Sequence, residues 1–151
     1  MKVEKIKRYV WTQRFLGLFA LLEGVTYFFA TSEFLYAINF FPNVFKLAEP
    51  APMPTDRFWV ILAASYSIGL CALSWLAAES PKVRGYGLVQ ILTRLCSTAG
   101  FALAFFNEHR YFIYLFAVFV NLAISSMIAW QLIRMGVLTE DSKSAPPEPK
   151  N

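Results

Sequence analysis

Four stretches of this chain are apolar at nearly every position, and polar residues gather between them. They run at about 11–30, 58–78, 85–106 and 111–134. At 1.5 Å per residue, each is long enough to cross a ~30 Å hydrocarbon layer as a helix. Strict apolar–polar alternation is absent, as is any series of ~10-residue strands, so the pattern does not describe a β-barrel. The connections Glu79–Arg84 and Asn107–Arg110 are short and suit antiparallel neighbours. The expected fold class is all-α: a polytopic membrane protein built as an antiparallel four-transmembrane-helix bundle.

The long connection 31–57 carries its own pattern. Tyr36, Asn39, Asn43 and Lys46 recur at three- and four-residue steps, while Phe34, Leu35, Ile38, Phe41, Phe45 and Leu47 fill the remaining face. This predicts an interfacial amphipathic helix at about 33–47, bent at Pro42. It either rests in the interface as a connector or lies as a lid over the outer mouth. Glu49-Pro-Ala-Pro-Met-Pro54 then forms a stiff, extended lead into the second span.

Composition supports the class. Charged residues are 16 % and hydrophobic residues 57 % of the chain, against about 25 % charged in a soluble domain. The net charge of +4 matters less than its placement. Lys2, Lys5, Lys7, Arg8, Arg14, Lys82, Arg84, Arg134, Lys143 and Lys150 fall on one side, and Lys46, Arg57 and Arg110 on the other. The positive-inside rule therefore puts both termini in the cytoplasm, with the chain in the inner membrane. Trp11, Trp75 and Trp130 at the inner ends and Trp59 at the outer end fit an interfacial belt. The N-terminal basic cluster is expected to meet anionic membrane lipids and not nucleic acid. The first apolar run exceeds a signal-peptide core and carries Glu23, which suggests a retained anchor. Residues 1–138 form the transmembrane domain, and 139–151 a polar, disordered cytoplasmic tail. Cys71 and Cys96 lie within spans at depths differing by about 6 Å, so free, buried thiols are expected.

Within these apolar spans sit residues that are costly at bilayer depth, at about 2.5–3.5 kcal/mol for each charge. Counted from the cytoplasmic ends, Glu23, Tyr66 and Asn121 fall about 18 Å deep and Arg94 about 14 Å. One comes from each span, so they meet if all face inward. Helical phase supports this: Gly87, Gln90, Arg94, Ser97, Thr98 and Phe101 share one stripe, as do Tyr114, Asn121 and Ser125. Ser67, Cys71 and Ser74 lie on a stripe beside Tyr66. Thr26 and Tyr27 flank Glu23, whereas Arg14 lies roughly 180° away and snorkels. The expected core of the layer is a Glu23–Arg94 ion pair, with Tyr66, Gln90, Asn121 and Ser97 satisfying the remaining groups. A protonated Glu23 is the alternative. Ala20-x3-Gly24, Ser65-x3-Gly69 and Gly100-x3-Ala104 are candidate helix contacts.

No motif implies a cofactor, a metal or a catalytic activity. His109 stands alone in a loop, the cysteines lack redox spacing, and there is no phosphate loop, dinucleotide fingerprint or nucleophile elbow. Three functional classes remain. Glu23, Arg94, Tyr66, Gln90, Asn121, Tyr27 and Ser97 line a site for a small amphipathic ligand of lipid or quinone type. Alternatively, the layer is a helix clasp in a subunit of a larger membrane complex or homo-oligomer. The third class is an oligomeric proton-coupled transporter or channel.

Arg14, Leu16-Gly17-Leu18 and Gly24 in the first span resemble the opening of DoxX-like bacterial membrane proteins. These are small four-helix proteins, some associated with membrane oxidoreductase systems. The resemblance covers about twenty residues plus overall size and implies the four-helix architecture. Glu23 and the long aromatic first loop depart from that pattern, so no functional residue is carried over.

Overall fold

The computed structural model describes residues 2–46, 48–54 and 57–135, which form five helices. These are α1 (Lys2–Phe29), α2 (Thr31–Phe45), α3 (Arg57–Glu79), α4 (Arg84–Asn107) and α5 (Phe112–Arg134). The last three match the expected spans to within a residue or so. The tail expected from 139 onward lies outside the described residues.

α1 begins nine residues before the apolar run. Its first turns are helical because they lack Gly and Pro, pair Glu4 with Arg8 at 2.7 Å across one turn, and bury Tyr9. Apolarity therefore marks only part of this helix. α3, α4 and α5 are each long and apolar enough to cross a membrane; α1 meets that test only together with α2. Arg14 and Glu23 interrupt its apolar surface. The two helices turn by 106° at a one-residue break, Ala30, so the sharp bend falls here. α2 continues through Pro42 to Phe45 and ends at Lys46, whose φ of 53° closes a left-handed cap onto the Pro42 carbonyl.

The helices associate as two pairs. α1 packs most extensively on α3 and α4 on α5, with a lighter junction between α3 and α4. Small residues make the first pair close. A Cβ on Gly17 would meet Trp75 and Ser74, and one on Gly24 would lie 3.3 Å from the Ala64 carbonyl. Ala20 between them is fully buried. The expected Ala20–Gly24 contact is thus present, whereas Gly69 and Gly100 face open space and make no helix contact. Between the pairs, Gly87 admits the Tyr9 hydroxyl and Leu132. These residues join Leu16, Ala77, Ile128 and Met135 in a core at the end of the bundle that carries the termini.

α2 crosses the opposite end, touching α1 and α5. Tyr27 meets Phe34 edge-on, and Phe41 stacks on Phe112. Asn39, expected on the polar outer face, is buried. Its amide donates to the Ala51 carbonyl and accepts from the Ala51 N–H, both at 2.8 Å. Glu49 adds a parallel bridge to the α4–α5 connection, with its N–H on the Arg110 carbonyl and its carbonyl accepting from the Phe112 N–H. The proline-rich lead is therefore fastened at both Glu49 and Ala51. Cys71 is half-buried and Cys96 exposed on the outside of the bundle, which corrects the expectation of two buried thiols; both are free.

Two outcomes test this packing. Gly24→Leu should destabilise the purified chain by about 2 kcal/mol through overpacking against α3, while Gly69→Leu stays within about 0.5 kcal/mol. Thermal unfolding in detergent measures both. Asn39→Ala should leave both Ala51 backbone groups unpaired, at a cost of about 2 kcal/mol. Limited proteolysis should then cut faster within 46–54.

Candidate functional site

The polar residues of the spans do converge between the two helix pairs, but in two levels rather than one plane. Nearer the termini, the Gln90 amide of α4 donates to Gln13 Oε1 of α1 at 3.1 Å. Gln90 Oε1 accepts from the Ser74 hydroxyl of α3 at 3.3 Å. Gln13, Ser74 and Gln90 are all fully buried, so this level ties three helices without facing outward. Gln90 accordingly belongs to this lower tie and does not support the Glu23–Arg94 pair.

The upper level contains Arg94, Asn121, Glu23, Tyr27, Tyr66 and Ser97. Arg94 is 3 % exposed. Its Nη1 donates to Asn121 Oδ1 at 3.0 Å, joining α4 to α5. The Ser97 hydroxyl donates to the Tyr66 hydroxyl at 2.9 Å, joining α4 to α3. Glu23 accepts from the Tyr27 hydroxyl, one turn away, at 3.3 Å. The expected bidentate Glu23–Arg94 pair is not formed. Glu23 is bonded instead to Tyr27 on its own helix and Arg94 to Asn121. Glu23 stands on α1 one position from Gly24, whose contact with α3 holds that face against Ala64 and Ser67. Ser67 lies beside the carboxylate but its hydroxyl reaches no partner in hydrogen-bond geometry.

Two donors of Arg94, Nε and Nη2, are buried and have no partner. Their position in the bundle gives this consequence. On α4, Gly87, Gln90 and Arg94 are buried, but Ser97, Thr98 and Phe101, next on the same face, are only half-buried. On antiparallel α5, Asn121, Ser125 and Ile128 are buried, while Tyr114, Ala117 and Val118 are half-buried. Packing between the pairs is thus tight up to Arg94 and Asn121 and looser beyond them, toward α2. Glu23, Tyr27 and Tyr66 are half-buried at the same level. Phe101 stacks on Tyr114 in this looser region. A guanidinium with free donors can bind a carbonyl, carboxylate or phosphoryl oxygen through charge-assisted hydrogen bonds.

Gln13 is the residue missed from the sequence. Its signal was the three–four stripe Tyr9, Gln13, Gly17, Ala20, Gly24, of which every member is buried. Arg14, placed outside the layer by helical phase, is exposed. Among the described residues, two cavities lie away from the layer. One of about 430 Å³ near the α1–α2 turn is lined by Phe28, Glu33, Arg57 and Ile61 among others. The other, of about 390 Å³, lies between the start of α1 and the end of α5. Compared with protein-family models, curated proteins and solved structures, the chain has no match.

The lower tie has a measurable strength. In a double-mutant cycle, Gln13→Leu and Gln90→Leu should couple by about 1 kcal/mol, typical of interhelical side-chain bonds in apolar surroundings. Unfolding of the four proteins in detergent measures it. Zero coupling would show that this bond does not join α1 to α4.

Proposed function

We propose that this chain is an integral inner-membrane protein, with both termini in the cytoplasm, that binds a small amphipathic ligand of lipid or quinone type between its two helix pairs. The observation that carries the reading is Arg94: a nearly inaccessible guanidinium with two unpartnered donors, set where interhelical packing loosens. Intramembrane charges are expensive and seldom left without a partner. A ligand oxygen on Nε and Nη2 would supply the missing acceptor, with Asn121 holding Nη1 and so orienting the planar fork. Glu23, on the facing pair, would accept a hydroxyl or amine of the same ligand. Tyr27, Tyr66 and Ser97 would border its ring or head group, and an apolar tail would leave between the helices. α2 would then be the cover of this site, fastened through Asn39 and Glu49.

The membrane reading draws on the three long apolar helices, on the all-round exposure of large apolar side chains, and on the exposed tryptophans. A second reading, the helix clasp of an assembly subunit, draws on the lower level, where hydrogen bonds join Gln13, Ser74 and Gln90 across three helices. The two levels allow both roles: the lower sets register, and the upper binds.

Arg94→Gln and Glu23→Gln separate them. Purified from membranes in mild detergent and extracted with organic solvent, the native chain should yield a defined small molecule by mass spectrometry. Each variant should lose at least about tenfold of it, the equivalent of one charge-assisted hydrogen bond, while eluting as a folded species. Normal retention in both variants would refute the ligand reading. A fall in folded yield with unchanged retention per folded molecule would support the clasp.

A further inference from the structure

The bundle has a second polar recess, at the end that carries the termini and far from Arg94. It is a cleft of about 390 Å³ between the first two turns of α1 and the last turn of α5, lined by Glu4, Lys5, Arg8, Trp130, Gln131 and Arg134 among others. Three cations face one carboxylate there. We propose that this cleft is a binding site for the phosphate of an anionic phospholipid whose head group also carries a hydroxyl.

Each cation has donors to spare. Lys5 uses one of its three on the Arg134 carbonyl, at 3.1 Å. That bond also closes the end of α5, so the C-terminal carbonyl does not oppose an anion. The Arg134 guanidinium carbon sits over the Trp130 ring, 4.7 Å from its centre, a cation–π contact that uses none of its N–H donors in a hydrogen bond. Arg8 is bonded to Glu4, but both side chains are largely exposed, 72 % and 66 %. Such an exposed pair is readily exchanged for a phosphate. The cleft holds one unmet acceptor: Gln131 donates to the Thr12 hydroxyl at 2.8 Å, yet its Oε1 is buried without a partner. A head-group hydroxyl would supply that donor. Trp130, exposed, and Met135 line the cleft with apolar surface for acyl chains, and Ile133 of the same helix end is exposed. That favours a lipid over a soluble anion.

The inference rests on the membrane-spanning reading but not on a ligand at Arg94, and its variants leave Glu23 and Arg94 intact. A chain that needs no detergent to remain soluble would defeat the membrane reading before any titration. The full chain in mild detergent is titrated with phosphatidylglycerol, phosphatidic acid or phosphatidylcholine, and adducts are counted by native mass spectrometry. Phosphatidylglycerol should be retained about tenfold over phosphatidylcholine. Arg8→Gln and Arg134→Gln should each weaken it about fivefold, the usual effect of one basic residue on anionic lipid. Arg134→Lys should restore most of the loss, and Gln131→Leu should abolish the preference for phosphatidylglycerol over phosphatidic acid. Lys7→Gln, at the same end but outside the cleft, should change nothing. Equal retention of the zwitterionic lipid, an equal effect of Lys7→Gln, or displacement by millimolar inorganic phosphate would overturn the proposal.

Discussion

A guanidinium enclosed among apolar helices needs acceptors within the bundle, because no solvent replaces the ones it leaves. Arg94 imposes that demand at the centre of this structure, and it is met only in part, by Asn121 on the neighbouring helix. The pairing of α4 with α5 therefore carries a polar bond as well as apolar contact. Glu23, the one acidic group of the opposite face, is held back by its own neighbour Tyr27 and by the close seating of Gly24 on α3. The separation of the two charges follows from backbone packing: glycines bring α1 to α3, and nothing comparable brings α1 to the upper part of α4.

The same packing makes the bundle asymmetric. At the end bearing the termini, Tyr9, Gly87 and Leu132 interlock, and the Gln13–Gln90–Ser74 tie lies directly above them. Toward α2, aromatic residues replace small ones and side chains become half-exposed. Relative movement of the two pairs is thus easiest at the α2 end, where fewer buried contacts resist it. α2 limits that freedom, since it reaches from α1 to α5, buries Leu35, Ile38 and Pro42, and is tied to the following segment by the Asn39–Ala51 hydrogen bonds.

Much of the site was legible from spacing alone. Counting depth along four apolar runs brought Tyr66, Arg94 and Asn121 to neighbouring heights, and helical phase turned Arg94 inward and Arg14 outward; both orientations hold. What spacing could not supply was the choice of partner. Opposite charge suggested Glu23 for Arg94, whereas the nearer acceptor is Asn121, because hydrogen-bond geometry depends on interhelical distance and rotation that no single helix encodes. Gln13 was overlooked for a related reason. It stands near the end of its apolar run, and only the packing of α1 on α3, with the Gln90 amide reaching across from α4, reveals it as buried.

Local sequence by itself determined the helices, the short turns between α3, α4 and α5, and the polar faces of those helices, since these follow from runs of apolar residues and a 3.6-residue period. Only tertiary structure decided that the helices form two pairs, that the polar layer splits into two levels, and that Asn39 fastens α2 instead of facing outward. Those outcomes depend on how closely two backbones can approach, which small residues such as Gly17, Gly24 and Gly87 permit but which only their partners on other helices complete.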